Sequence, residues 1–409
     1  MDGKLFEGLR VLELTGPMGQ QCGKLFADMG ADVVKIEPPD GAASRKIGPY
    51  LDDIPHPERS LSFWHYNTSK RGVTLDIAKP QGQGLFRRLA EGADVLIEDT
   101  APGTLDALGL GYTHLALLTP GLVMVAITPF GQTGPYRNLK TSDMVSLAMG
   151  GPLWSCGYDD HSIPPMRPYQ DASYHVGSHY AFIGAMAALV LRQMTGQGQY
   201  VDVSVHEACH ATTEGAMPIY YFNNMRVRRQ TNRHASPRSS QPVVFPTADG
   251  KHEFTRVPAE RRAWEQFVEW MEAEGLGEGL RNERFRDPEY RQEMGPQLTQ
   301  LVSDLCARHG AEELFHEAQQ REMVWAPVRS PDENVRDPHL QARGFFVEVE
   351  HPELGRSFQY AGAPYRFGET PWAISSRAPL LGEHNEAVYC GELGLSQEGL
   401  QALKAEGVV

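Results

Sequence analysis

The chain has no pair of cysteines at CxxC spacing; its five cysteines, Cys22, Cys156, Cys209, Cys306 and Cys390, are scattered and odd in number. That pattern argues against a disulfide framework or a zinc knuckle and fits a reduced, cytoplasmic protein. Basic residues are outnumbered, 38 Lys and Arg against 52 Asp and Glu, with a sequence pI of about 5.5. No basic stripe stands out, so nucleic acid is not an expected partner. The opening residues, MDGKLFEGLRVLEL, lack the layout of a signal peptide and run straight into a strand pattern. No uninterrupted apolar run reaches spanning length, and no membrane partner is expected. There is no repeat of fixed period. Also missing is the Gly-x-Gly-x-x-Gly fingerprint: Gly16, Gly19 and Gly23 stand three and four apart, which disfavours a nicotinamide site with Glu37 as its ribose acid.

What is present is an α/β alternation. LRVLEL (9–14) reads as a buried strand, 20–29 as a helix and DVVKI (32–36) as a second strand, a β-α-β unit of the doubly wound kind. Strand patterns follow at 73–77, in ADVLIED (93–99) and in LVMVAITPFG (122–131), with a helix over 79–92, as a parallel sheet requires. Composition shifts after Asn223. RVRRQTNRHASPRSSQP reads as a polar loop, TADGKHEF as a hairpin, and 261–274 and 290–308 as amphipathic helices. The expected division is therefore a large domain over 1–224, a smaller α+β domain over 225–330, and a segment over 331–409 that returns to the large domain or to a partner chain.

The centre of the chain is RPYQDASYHVGSHYAFIGAMAALVLRQMTGQGQYVDVSVHEAC, residues 167–209. An acid, Asp171, precedes a long apolar helix. In that helix Gly177, Ala181, Gly184 and Ala188 form a row where a backbone or a ligand can come close. Val176, Ile183, Met186, Leu189 and Val190 can share apolar faces. Asp171 has two readings: an N-cap for the first-turn amides, or a carboxylate nucleophile at the positive end of the helix dipole. Arg45, Lys70, Arg71 and Lys140 could neutralise phosphates, each having a solvated surface charge as its plain alternative. The amide-rich turns at Met18–Gln20 and Thr100–Thr104 could hold an anion. His206-Glu207-Ala208-Cys209-His210 matches the HExxH zinc string, whose metzincin extension fails at Thr213.

Taken in order, GLRVLELT, LFADMGADVVKIEPP, SKRGVTLDI, ADVLIEDTAPGTLDALGLGY, FGQTGPY, TGQGQYVDVSVHEA, RDPHLQARGFF, HPELG and LGEHN resemble the class III coenzyme A transferase family. The resemblance spans nearly the whole chain apart from about 225–321. It implies a Rossmann-like large domain with a parallel sheet, a smaller domain, and two chains threaded through each other as an interlocked dimer. It further implies that an Asp carboxylate attacks an acyl-CoA thioester, giving an aspartyl anhydride from which CoA passes to an acceptor acid. No tightly bound cofactor is implied; CoA and its thioesters are substrates. By position, Asp171 is the acid nearest the family's nucleophile. Met18, Gly19, Lys70, Asp99, Thr100, Thr104 and Leu108 match CoA contacts, and Lys140 and Asp143 match a basic and an acidic site position.

Four positions depart from the family pattern. The family places Gly four residues after its nucleophile, but counting back from Gly177 lands on Ser173. Asp99 stands where the formyl-CoA enzymes have Asn, and Ala107 where they have Arg. Ser142 stands where the racemase branch has His, which disfavours racemisation. These changes suggest weaker CoA binding. They leave two roles open for this chain: a catalytic CoA-transferase polypeptide in a homodimer, or a catalytically silent companion in a heteromer of the benzylsuccinate type. A zinc hydrolase through His206, Glu207 and His210 is the third alternative.

Overall fold

The computed structural model describes residues 3–168, 170–213 and 215–409. The chain divides into two compact units: Met1–Pro152 with Pro168–Thr213 and His339–Val409, and Leu153–Arg167 with Glu214–Pro338.

The larger unit is built on six parallel strands: β1 (Arg10–Leu14), β2 (Asp32–Glu37), β3 (Arg71–Thr74), β4 (Val95–Glu98), β5 (Val123–Thr128) and β6 (Tyr200–Ser204). Their order is β3-β2-β1-β4-β5-β6, every neighbour parallel. β4 and β5 are buried at every residue, as strands covered on both faces must be. The order reverses between β1 and β4. In doubly wound sheets the crevice at that reversal is where ligands bind.

Among the described residues from the start of β1 to residue 211 there are nine α-helices: α1 (Gln20–Asp28), α2 (Leu61–Tyr66), α3 (Pro80–Glu91), α4 (Thr104–Ala107), α5 (Tyr112–Leu118), α6 (Asp143–Gly150), α7 (Pro152–Ser155, which begins at the unit boundary and runs into the smaller unit), α8 (Ala172–Thr195) and α9 (Val205–Ala211). One core joins Leu12, Val34, Leu96 and Met124 of the sheet to Phe86 and Leu89 of α3 and to Val388, Tyr389 and Leu400 near the chain's end. Residues 376–385 run beside β3. Thr74 N donates to Asn385 Oδ1 at 2.9 Å, and Tyr389 Oη donates to Thr74 O at 2.8 Å.

α8 departs from the sequence reading in one way. Within its 24 residues an 18-residue window reaches a mean hydropathy of 1.2, so by length and composition alone it could cross a membrane, which the uninterrupted-run criterion overlooked. It packs on β5, β6, α1 and α9 in this unit. Its small residues face inward: Gly177, Ala181, Ala185 and Ala188 are buried, while Ile183 and Val190 are exposed. A Cβ added at Gly177 would lie 2.9 Å from Val205 Cγ2, so the close approach belongs to the start of α9.

The smaller unit has its own core, centred on Trp264, Phe267, Trp270, Met271, Leu305 and Trp325. Its antiparallel hairpin Val244–Pro246/His252–Phe254 turns at Gly250, as expected. The stretch 226–242, expected as loop, contains a second hairpin, Arg228–Gln230 with Arg233–Ser236. Residues 153–167 join this unit because Trp154 Nε1 donates to Val227 O at 2.7 Å and Asp159 pairs with Arg233. The helix expected over 290–308 is two, Pro288–Glu293 and Gly295–Cys306.

Candidate active site

The site lies at the strand reversal of the larger unit. The turn after β1 presents the amides of Gly16 and Gly19, and both are taken: they donate to the Asp99 carboxylate at 2.7 and 3.0 Å. A side chain thus fills the place where a dinucleotide's phosphates would sit, which agrees with the missing glycine fingerprint. Burial raises the Asp99 carboxyl to about 6, against the pull of the two amides and of Lys35. Its neighbour Glu98, raised to about 7 by burial, accepts from Thr100 N and Oγ1 at 2.7 and 2.6 Å.

α8 meets this turn nearly two helical turns from its start, where Ser178 Oγ donates to Met18 O at 2.8 Å. Asp171 is the residue before the helix, half-buried, with its side chain making no capping bond. The cap comes from elsewhere: Asp143 Oδ1 accepts from Ser173 N and from Ser173 Oγ, each at 2.8 Å. Asp143 is itself the first residue of α6, whose cap is Ser142. Both Gln170, before Asp171, and Ser69, before Lys70, have left-handed backbone, φ 52° and 61°. For such residues this conformation costs roughly 1–2 kcal/mol. Tyr169 lies outside the described residues.

Beside Asp171 stands a pair that the sequence did not flag. Tyr66 Oη and His175 Nε2 share a hydrogen bond of 2.7 Å. Burial, and after it the Asp171 charge, raise the Tyr66 phenol to about 12. Burial, then His179, lowers His175. The only sequence signal was spacing: His175 is four residues past Asp171, one helical turn.

Three expected phosphate-binding bases are engaged inside the protein. Arg45 is fully buried, its Nε and Nη2 on Glu37 at 2.7 and 2.8 Å, its Nη1 on Glu58 at 2.7 Å, and its plane 3.9 Å from the Phe63 ring centre. Glu37, weighed as a ribose acid, is the partner in that pair. Lys70 donates to Gln20 O and Asn67 Oδ1 and pairs with Glu13 at 2.6 Å. Burial brings Lys70 down to about 8, against the pull of Glu13. Arg71 is bound by Asp32 and Glu392. Each was expected to face phosphates, with a solvated surface charge as the alternative; nothing in the sequence signals these acidic partners. Lys140 is exposed, and among the described residues it makes no ion pair.

Thr100 and Thr104 do share a wall. With Glu98, Tyr112, Arg137 and Tyr200 they line a cleft of about 510 Å³. Leu108 closes α4, its carbonyl 3.5 Å from Arg87 Nη2. In the HExxH string, His206 packs on Phe130 and the His210 ring is turned to Gly150 O. Among the described residues no three of His, Cys, Asp and Glu converge as metal ligands.

A sheet of order β3-β2-β1-β4-β5-β6 with helices between its parallel strands defines a doubly wound α/β protein. The profile of CoA-transferase family III matches residues 6–385, and the chain belongs to that family. It is 34% identical over 396 residues to succinyl-CoA:(R)-benzylsuccinate CoA-transferase subunit BbsE of Thauera aromatica, covering 95% of each chain. It is 32% identical over 405 residues to succinyl-CoA–D-citramalate CoA-transferase of Chloroflexus aurantiacus, covering 98% of each. Its fold is similar to that of a CAIB/BAIF family protein from Brucella suis, with TM-score 0.82 and 26% identity over 95% of this chain and 99% of that one.

Proposed function

We propose that the chain is a class III CoA-transferase polypeptide that moves CoA from succinyl-CoA to a carboxylic acid through Asp171. The observation that supports this reading is the position of Asp171: it is the residue before α8, its side chain makes no cap bond, and Asp143 holds the helix's first turn, so the carboxylate stands at the positive helix end. The carboxylate attacks the thioester carbonyl, the C–S bond breaks, and CoA leaves as thiolate. The aspartyl anhydride keeps the acyl group activated. The acceptor carboxylate then attacks the anhydride at the donor's carbonyl. Asp171 leaves as carboxylate, and the new anhydride joins donor and acceptor acids. CoA thiolate takes the acceptor's acyl group and releases the donor acid. Neutral His175 and the Tyr66 phenol stand beside this path as hydrogen-bonding groups, and the cleft walled by Thr100 and Thr104 would receive part of CoA. The succinyl donor follows from the relatives, two of which are named as succinyl-CoA-dependent transferases.

A second reading has its own support. One relative is named as a subunit, and another, from Chloroflexus aurantiacus, as a β subunit. Lys70 and Arg45, bound up in ion pairs, and Asp99, filling the β1 turn, offer CoA phosphates little. In that reading the chain is the silent companion of a homologous catalytic chain. Exposed Ile183, Val190 and Met194 on α8 suit burial against such a partner.

One experiment separates the two readings. The purified chain is incubated with succinyl-CoA, quenched with hydroxylamine and mapped by mass spectrometry. An adduct on Asp171, absent from Asp171→Asn, supports the first reading. No adduct on this chain, with turnover appearing only when a homologous chain is added, supports the second.

A further inference from the structure

We propose that the smaller unit carries a binding site of its own for a small carboxylic acid with an apolar body, seated in the cavity beside Arg291. The cavity measures about 230 Å³; Phe245, Val257, Leu298 and Val302 give it apolar walls, and Arg291 and Thr299 are polar members of the lining. That is below the range of about 300–1,000 Å³ typical of drug-sized ligands, so it suits a single ring or a short chain.

Arg291 makes the cavity more than an apolar hole. It is only 7% exposed. Its Nη1 donates to Phe285 O at 3.2 Å and its Nη2 to Ala259 O at 2.6 Å, and its plane lies 5.1 Å from the Trp264 ring centre. Every other buried cation among the described residues has an anion: Lys24 has Asp28, Lys35 and Lys70 have Glu13, and Arg45 has Glu37. Arg291 has carbonyl dipoles and an aromatic face, and among the described residues no carboxylate lies within ion-pair distance. The one acid among the described residues whose charge acts on it is Asp287, which caps Glu289 N at 2.9 Å and makes no ion pair with Arg291. Burial lowers the Arg291 pKa, the mark of a charge short of compensation. Exposed Arg256, also in the lining and without an ion pair among the described residues, adds a second positive charge. A buried cation lacking an anion is costly, and a carboxylate entering the cavity would relieve it.

The acid could be one that the enzyme itself esterifies to CoA, or an effector that is never transformed; the chemistry of recognition is the same. The test is calorimetric titration of the full chain with 3-phenylpropionate and, as a neutral control, 3-phenylpropionamide. Saturable binding of the acid is expected, with the amide at least about tenfold weaker, since a charge-assisted hydrogen bond is lost. Arg291→Gln should lose the acid-over-amide preference. Thr299→Phe, which fills the cavity from a partly exposed helix position and leaves the guanidinium alone, should weaken both ligands and decides the matter if Arg291→Gln does not fold. Chromatography of the same mixtures with succinyl-CoA then distinguishes the sources. A CoA ester of the acid that disappears in Thr299→Phe marks an acceptor seat, and binding without ester marks an effector site. Equal affinity for acid and amide, or unchanged binding in Thr299→Phe, overturns the proposal.

Discussion

Asp143 and Ser173 tie two helix starts together: one carboxylate oxygen takes both the amide and the hydroxyl of Ser173 at 2.8 Å. A cap of this kind is worth about 1–2 kcal/mol. Asp143→Ala should therefore lower the melting temperature by that equivalent, with Asp143→Asn losing less. Because Asp171 is the residue next to the capped turn, its succinyl adduct should also form more slowly in Asp143→Ala. A melt that moves while the adduct rate holds would limit Asp143 to stability.

Gly177 stands where α8 meets Val205, with 2.9 Å between an added Cβ and Val205 Cγ2. Gly177→Ala should destabilise the larger unit by about 1–3 kcal/mol through overpacking. Val205→Ala in the same chain should return part of that loss. Urea melts of the single and double variants measure the coupling.

Glu98 gives a pH dependence whose sign follows from burial. Its carboxyl is raised to about 7, against about 4.3 in an unfolded chain. Between these values the folded chain keeps a proton that the unfolded chain has given up, so this group's contribution to stability falls as pH rises from about 4 to 7 and is level above. In Glu98→Gln the fall should flatten. Melting temperature against pH, parent beside variant, checks it.

Glu13 sits between Lys35 at 2.8 Å and Lys70 at 2.6 Å, all three fully or almost fully buried. Removing it leaves two buried ammonium groups unmatched, and breaking such a pair costs about 3–5 kcal/mol. Glu13→Ala should thus unfold at markedly lower denaturant. Were Lys70 solely a CoA contact, Lys70→Met would weaken CoA binding without moving the melt; the triad predicts that the melt moves.

The sheet could be read from the sequence because its strands carry their burial locally. VLI (95–97) and VMVAI (123–127) are apolar throughout, and their spacing leaves room for the crossover helices. The position of Asp171 before a helix was legible for the same reason. The charged residues were not. Lys70 and Arg45 look like surface bases in SKRG and ASRK, and only the fold brings Glu13 and Glu37 to them. The Asp99 clamp on Gly16 and Gly19 joins residues some eighty apart. The hairpin in 226–242 escaped hydropathy because polar atoms hold it: Gln230 bonds His234 O and Ser240 N at 3.0 and 2.8 Å. In α8 the row of small residues was legible as the side of close approach, since small residues bury best where a strand must come close.

Asn385 and Tyr389 fasten the last part of the chain to Thr74 on the sheet's outermost strand. That strand is made early and its fastener late, with the whole of the smaller unit synthesised in between. On the ribosome, β3 therefore waits with an open edge while more than three hundred further residues emerge. The nascent sheet is vulnerable to mispairing throughout that interval. A message truncated after the smaller unit would yield a sticky intermediate in place of a shorter enzyme.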